Sequence, residues 1–248
     1  IKSIAYFHKA YVLFDQLNKE LDLSYLKIQM SKEYAYLGDD EKAVSYALEA
    51  VNYFNKHELF FDEIFAQNAL ARIYLRLEEY KKAESSFNEI ILLSTQLQKE
   101  NYAFIAYIGL AKVYLYTNKN KKSRFFLDKY QEKNTTILTP FEQMDNYVVE
   151  AKLALANNNI PLADHATKIF EDILNQQEKS KTYFWQIELL DLKAKIAAIK
   201  GDYKASYAAL IKIRNIQKSY NNIEREKIRS RFKIIFDTEQ TTLKNQLL

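Results

Sequence analysis

Tyr34, Tyr74 and Tyr114 stand 40 residues apart, and the same step carries Ala43 to Ala83, Ser123 and Ala163. It also carries Gly38 to Glu78, Asn118 and Asn158. Three independent columns on one ruler mean that the chain is an array of one repeated unit. Such an array buries a continuous core by stacking each unit on its neighbours, and it offers a partner an extended face.

Composition says what the unit is made of. With Gly 3 and Pro 2 in 248 residues, interior helix breakers are almost absent, which favours helices joined by short loops. The hydrophobic share of 48%, with 19 Tyr and 15 Phe, supplies a packed interior and argues against disorder. Lys+Arg 36 against Asp+Glu 32 gives a net charge of +4 without a block of like charge, so no nucleic-acid partner is expected. Cysteine is absent, which removes disulfides and thiolate metal sites but suits the cytosol and an extracytoplasmic compartment equally.

Enzymatic signals are missing. His8, His57 and His165 have no second histidine one turn away, so a zinc helix is not expected. No nucleophile elbow, phosphate-cradling glycine loop or Cys–His pair occurs. The reading is a non-catalytic chain with no cofactor and no metal. No stretch approaches the ~20 apolar residues of a membrane helix. The sequence opens on Ile1 inside a helical pattern, so a domain cut from a longer protein is expected.

Within one unit, Leu26, Met30, Tyr34 and Leu37 recur at helical spacing, Gly38-Asp39-Asp40 interrupts them, and Ala43, Ala47, Ala50 and Val51 follow on one face. The small residues let the second helix approach the first closely, and Tyr34 fills the gap. The pattern returns with Leu70-Ala71, Tyr74 and Ala83, then with Leu110-Ala111, Tyr114 and Ser123. Thr139-Pro140-Phe141-Glu142 reads as a capping box opening the fourth unit. The fifth slips to a 43-residue step, with Ala194, Ala197 and Gly201-Asp202-Tyr203. Aromatics near Tyr53-Phe54 and Phe60-Phe61 are expected at the surface, seated on a neighbouring unit or a partner.

Leu-Ala-x-x-Tyr, a Gly-Asp-Tyr turn and the following Ala resemble the tetratricopeptide repeat, whose usual unit is ~34 residues. The resemblance implies an all-α, right-handed superhelix of antiparallel helix pairs. Residues 1–221 form the array: an orphan helix over 1–20, then repeats from about 22, 61, 101, 139 and 180. A long amphipathic helix over 222–248 closes it, through Phe232, Ile235, Phe236, Leu243, Leu247 and Leu248.

Phe236-Asp237-Thr238-Glu239-Gln240 and the leucines after it resemble the segment that ends tetratricopeptide sensor regions in bacterial membrane signalling proteins. That resemblance implies an extracytoplasmic sensor domain, a membrane span after Leu248, and an absent output domain such as a diguanylate cyclase, a histidine kinase or a DNA-binding module. A homodimer through the C-terminal helix is compatible with it. The alternative is a standalone cytoplasmic adaptor or peptide receptor that binds an acidic segment.

Two residues before each repeat tyrosine or its equivalent stands a base: Lys32, Arg72, Lys112 and Lys152, with Lys195 in the shifted fifth unit. Tyr36, Arg76 and Tyr116 lie one turn further on, and Asn68 one turn before Arg72. In tetratricopeptide arrays this column faces the concave groove, which implies a ladder of positive charge suited to a protein or peptide carrying carboxylates. Asp145, Glu188 and Asp191 fall near the same groove and offer the opposing account, pairing with Lys152 and Lys195.

Overall fold

The computed structural model describes residues 2–132, 139–178 and 182–219, all helix and turn. The expected helix over 222–248 lies outside them. The helices are α1 (Lys2–Gln16), α2 (Glu20–Tyr36), α3 (Asp40–Lys56), α4 (Phe60–Arg76), α5 (Tyr80–Gln96), α6 (Ala103–Tyr116), α7 (Asn120–Glu132), α8 (Pro140–Ala156), α9 (Ile160–Asn175) and α10 (Tyr183–Ile199), followed by α11 over 203–219. A single 3-10 turn, Glu100–Tyr102, leads into α6.

One device stops most of these helices. At the end of α2, Gly38 N–H donates to Ala35 O at 3.2 Å and Asp39 N–H to Tyr34 O at 2.9 Å. The same two bonds recur after α4, from Glu78 to Leu75 at 3.2 Å and from Glu79 to Tyr74 at 2.9 Å, and after α6, from Asn118 to Leu115 at 3.1 Å and from Lys119 to Tyr114 at 2.8 Å. This is the paired-bond motif that satisfies the last carbonyls of a helix, and it needs a left-handed residue just past the end. Asn18, Gly38, Glu58, Glu78, Gln98, Asn118 and Asn158 all take that conformation, with φ between 52° and 73°. They explain the column at 38, 78, 118 and 158, and they add a second at 18, 58 and 98 that lacks glycine and so left no mark in the sequence.

Starts are capped locally. Thr139 and Glu142 form the expected capping box, Glu142 N–H donating to Thr139 Oγ1 at 3.3 Å and Thr139 N–H to Glu142 Oε2 at 2.9 Å. Asn159 Oδ1 accepts from Leu162 N–H at 3.2 Å at the head of α9. The 43-residue slip is placed between α9, which ends at Asn175, and α10, which begins at Tyr183.

The described residues form two compact units, 2–79 and 80–219. In the first, α1 packs on α2, α2 on α3 and α3 on α4, while α2 also lies beside α4. Ala43, Ala47 and Ala50 are fully buried, as close approach requires. Phe54 is fully buried with them rather than at the surface: it closes the last turn of α3, where Tyr25 packs on its ring at 5.3 Å. Tyr34 stacks on Tyr46 at 5.5 Å, and its hydroxyl meets His8 Nε2 at 2.7 Å. Burial, and then the Lys42 charge, push the His8 imidazole below its ordinary value.

In the second unit α5 packs on α6, α6 on α7, α8 on α9 and α9 on α10, with α6 beside α8 and α8 beside α10. One core joins Ile108, Ala111, Leu127, Tyr130, Val149 and Leu153. Another joins Met144, Val148, Ala151, Phe170 and Leu192. Each large apolar side chain buried here contributes roughly 1.5–3 kcal/mol. Tyr114 stacks on Phe126 at 5.5 Å and donates to Glu84 Oε1 at 2.5 Å.

Two outcomes follow for this unit. A Cβ added to Gly109 would fall 2.2 Å from Cζ of the buried Phe87 ring. Gly109→Ala is therefore expected to destabilise by about 1–2 kcal/mol in urea unfolding, overpacking outweighing the ~1 kcal/mol gain in helix propensity. Burial first, and the Glu84 hydrogen bond second, push the Tyr114 phenol up to about 12. Above pH ~10 the unfolded chain releases that proton while the folded chain holds it, so stability falls as pH rises from there towards about 12. Tyr114→Phe should flatten that fall in unfolding curves measured across the same range.

Candidate functional site

The base column lies on the first helix of each pair, and the two units treat it differently. In the second unit, Lys112 of α6 places Nζ 2.9 Å from Asp145 Oδ1 of α8, the side chains 13% and 4% exposed. Lys152 of α8 stands 2.6 Å from Glu188 Oε2 of α10 and 5.3 Å from the centre of the Tyr116 ring. Tyr116 in turn lies 6.2 Å from Tyr80. Its phenol is held well above the ordinary tyrosine value, by burial first and then by the charges of Glu188 and Asp145. Lys195 of α10 pairs with Asp191 on its own helix at 2.7 Å.

Every base of the column in this unit thus meets a carboxylate. The sequence reading has Asp145, Glu188 and Asp191 pairing with Lys152 and Lys195; Glu188 and Asp191 do so, whereas Asp145 precedes Lys152 by seven residues, two turns along α8. From there it faces the base of the preceding pair, Lys112. Glu188 repeats the relation to Lys195 and Lys152. The 43-residue step from Asp145 to Glu188 is the sequence signal for this second column. The row is a neutral, half-buried network that ties α6 to α8 and α8 to α10.

In the first unit Lys32 of α2 and Arg72 of α4 are both exposed on helices that lie side by side. The Lys32 ammonium is pushed below its ordinary value, by partial desolvation first and by the Arg72 charge second. Two cations therefore face each other. At the place held by Asp145 and Glu188 stands Phe65, seven residues before Arg72. Asn68 lies one turn before Arg72, and its Oδ1 is buried and accepts no hydrogen bond among the described residues. Arg76 pairs with Asp40 of α3, and Tyr36 is exposed.

The nine residues of the expected ladder thus divide. Lys112, Tyr116, Lys152 and Lys195 belong to the paired network of the second unit, and Lys32, Asn68 and Arg72 to the cationic face of the first. Tyr36 and Arg76 stand one turn beyond that face. Of the apolar residues on the same face, where Leu21, Tyr25, Phe61 and Phe65 are exposed, sequence reasoning singled out Phe61 and missed the other three. Their 40-residue pairing, Leu21 with Phe61 and Tyr25 with Phe65, was the available signal.

Among the described residues no helix is long and apolar enough to cross a membrane. No group of three or more His, Asp or Glu is placed to hold a metal ion there either.

No family model matches the chain, and no curated protein does. Solved structures match it in fold. The apo form of RapI is similar at TM-score 0.67 and 14% identity, covering 88% of this chain and 92% of that one. BtubC (BKLC) from P. vanneervenii is similar at TM-score 0.63 and 15% identity, covering 89% and 91%. The TPR-like repeats of a putative kinesin light chain from Podosopora anserina are similar at TM-score 0.52 and 16% identity, covering 80% and 97%. At such identities the likeness establishes fold alone, and the fold is an all-α, TPR-like helical repeat solenoid.

The pairing of Lys112 carries a stability test. Lys112→Glu is harmless at an exposed rung, but with Asp145 4% exposed it leaves a buried carboxylate facing a second one. The expected cost is about 3 kcal/mol or more in urea unfolding. The double variant Lys112→Ala with Asp145→Ala should recover most of it.

Proposed function

We propose that the chain is a non-catalytic, protein- or peptide-binding repeat module whose recognition face is formed by α2 and α4. Lys32 carries this reading: an exposed cation on α2, with no ion pair among the described residues, in a column whose counterparts in the second unit meet Asp145, Glu188 and Asp191. A carboxylate from a partner would offset the Arg72 charge felt by Lys32 and accept charge-assisted hydrogen bonds from its ammonium. The fold supports a binding scaffold, since TPR-like arrays work by presenting helix faces.

In this reading the module senses its partner for a bacterial signalling protein, from an extracytoplasmic position, and controls a diguanylate cyclase or kinase output. That part rests on the sequence of residues 222–248, which lie outside the described residues. Partner binding would favour one arrangement of the helix pairs, and the coupling would equal its differential affinity for the two.

The test is a thermal-shift screen against acidic peptides and C-terminal carboxylate peptides at low and moderate salt. A rise in melting temperature that shrinks with salt is expected, lost in Lys32→Glu and kept in Lys195→Glu. A screen without any shift, or a shift that survives Lys32→Glu, would remove the basis for this reading.

A further inference from the structure

The second helix of the last pair, α11, departs from those of the earlier pairs in two respects at once. Among the described residues, α3, α5 and α7 each leave one large apolar side chain exposed, Leu48, Leu92 and Phe125, and α9 leaves none. In α11 there are four: Tyr203 is 72% exposed, Tyr207 67%, Leu210 51% and Ile211 37%. They recur at i, i+4, i+7 and i+8, which places them on one face of the helix. Ser206, Ala209, Ile213 and Ile216 hold the covered side, so the four do not belong to the core. Large apolar side chains exposed as a cluster, rather than singly, mark a surface that meets something other than water.

Charge departs in the same helix. Each of α3, α5, α7 and α9 carries at least two acids, whereas residues 203–219 carry none. They carry four bases instead, Lys204, Lys212, Arg214 and Lys218, all exposed and without an ion pair among the described residues. Arg214 and Lys218 continue the apolar stripe at i+11 and i+15 from Tyr203, and Lys204 borders its start. The acid just before the helix, Asp202, is engaged as its cap and accepts from Ala205 N–H at 2.9 Å. The outer face of α11 is thus apolar and cationic over ~25 Å, at 1.5 Å per residue.

We infer that the outer face of α11 docks on an anionic lipid surface, with the helix lying in the plane of the bilayer. A stripe of aliphatic and aromatic side chains flanked by bases is the composition that binds at such an interface. Leu210 and Ile211 would enter the acyl boundary, and the Tyr203 and Tyr207 rings would sit at head-group depth, where tyrosine is favoured. The long stems of Lys204, Arg214 and Lys218 let their charges reach anionic head groups while the apolar residues are buried. Other occupants fit less well. A nucleic acid would meet the bases and stack on the tyrosines, but it would leave Leu210 and Ile211 in water. A second copy of the helix would bring four more bases and no acid to the same face. The inference goes beyond the binding module proposed above and does not depend on Lys32.

The experiment sediments the full chain with vesicles of phosphatidylcholine alone and of phosphatidylcholine with phosphatidylserine at about 3:1, each at low and moderate salt. Binding to the anionic vesicles is expected to exceed that to the neutral ones about tenfold or more and to weaken with salt. Tyr207→Ser combined with Leu210→Ser should lower it about tenfold, and so should Arg214→Glu combined with Lys218→Glu. Lys195→Glu, a charge reversal on α10, should leave it unchanged. Circular dichroism and melting curves check that every variant folds as the parent does.

Equal binding to the two kinds of vesicle, or none to either, would overturn the inference. Anionic binding that survives both double variants would overturn it as well and assign the activity to another part of the chain, with residues 220–248 the first to test. A chain that dimerises without lipid, and becomes monomeric on size exclusion when Tyr207 and Leu210 are changed to Ser, would give the face to a second copy instead. A serine variant that melts several degrees below the parent would show the face to be covered within the protein, and the lipid reading would fall with it.

Discussion

The structure depends on where its helices stop. A helix of this composition has no internal reason to end: with Gly 3 and Pro 2 in the whole chain, its breakers must be made by backbone geometry. A left-handed residue past most of the described ends, with two backward hydrogen bonds, makes them. Because Tyr34, Tyr74 and Tyr114 supply the accepting carbonyls and also pack into the gap between helices, each tyrosine sets the length of its helix and the spacing to its partner. Six of the described residues that take positive φ, at 18, 58, 78, 98, 118 and 158, are Asn, Glu or Gln rather than Gly. A left-handed L-residue costs about 1–2 kcal/mol, and that cost is met by the carbonyls it satisfies and the core it aligns.

The second organising constraint is electrostatic and divides the chain. A column of bases on first helices would repel itself if nothing opposed it. In the second unit Asp145 and Glu188 oppose it from two turns earlier on the following helix, so the repulsion becomes a tie between neighbours. Such half-buried pairs add little net stability, because desolvation offsets attraction, yet they are costly to break. They hold one register of helix against helix. In the first unit the column instead sets Lys32 against the charge of Arg72.

Much of this was legible in the sequence. The 40-residue ruler, the buried alanines, the tyrosines and the capping box at Thr139 all rest on short-range rules that one chain carries in full. The second set of turns was not legible, because it carries no glycine, and Glu58 and Gln98 take the left-handed conformation against their own preference. Phe54 was expected at the surface with Tyr53; in space it is buried and closes the end of α3. For the site, the base column was visible but its state was not. Which acid meets which lysine depends on the stagger between neighbouring helices, a quantity that neither helix encodes alone. Beyond Phe61, the exposed aromatics escaped notice because Phe and Tyr are abundant throughout, and only burial separates those in the core from those outside it.

The three additional residues between α9 and α10 have a consequence for how such a chain tolerates change in length. One residue inserted within a helix rotates everything after it by about 100°, which would carry a base off its face and an acid away from its lysine. The same insertion between two helices rotates nothing, because the next helix starts afresh from its own cap. Glu188 still precedes Lys195 by seven residues and still reaches Lys152 at 2.6 Å, although the unit has grown by three. The chain therefore keeps its register helix by helix rather than by counting from its beginning. Its connectors are the places where length can vary without the faces losing phase.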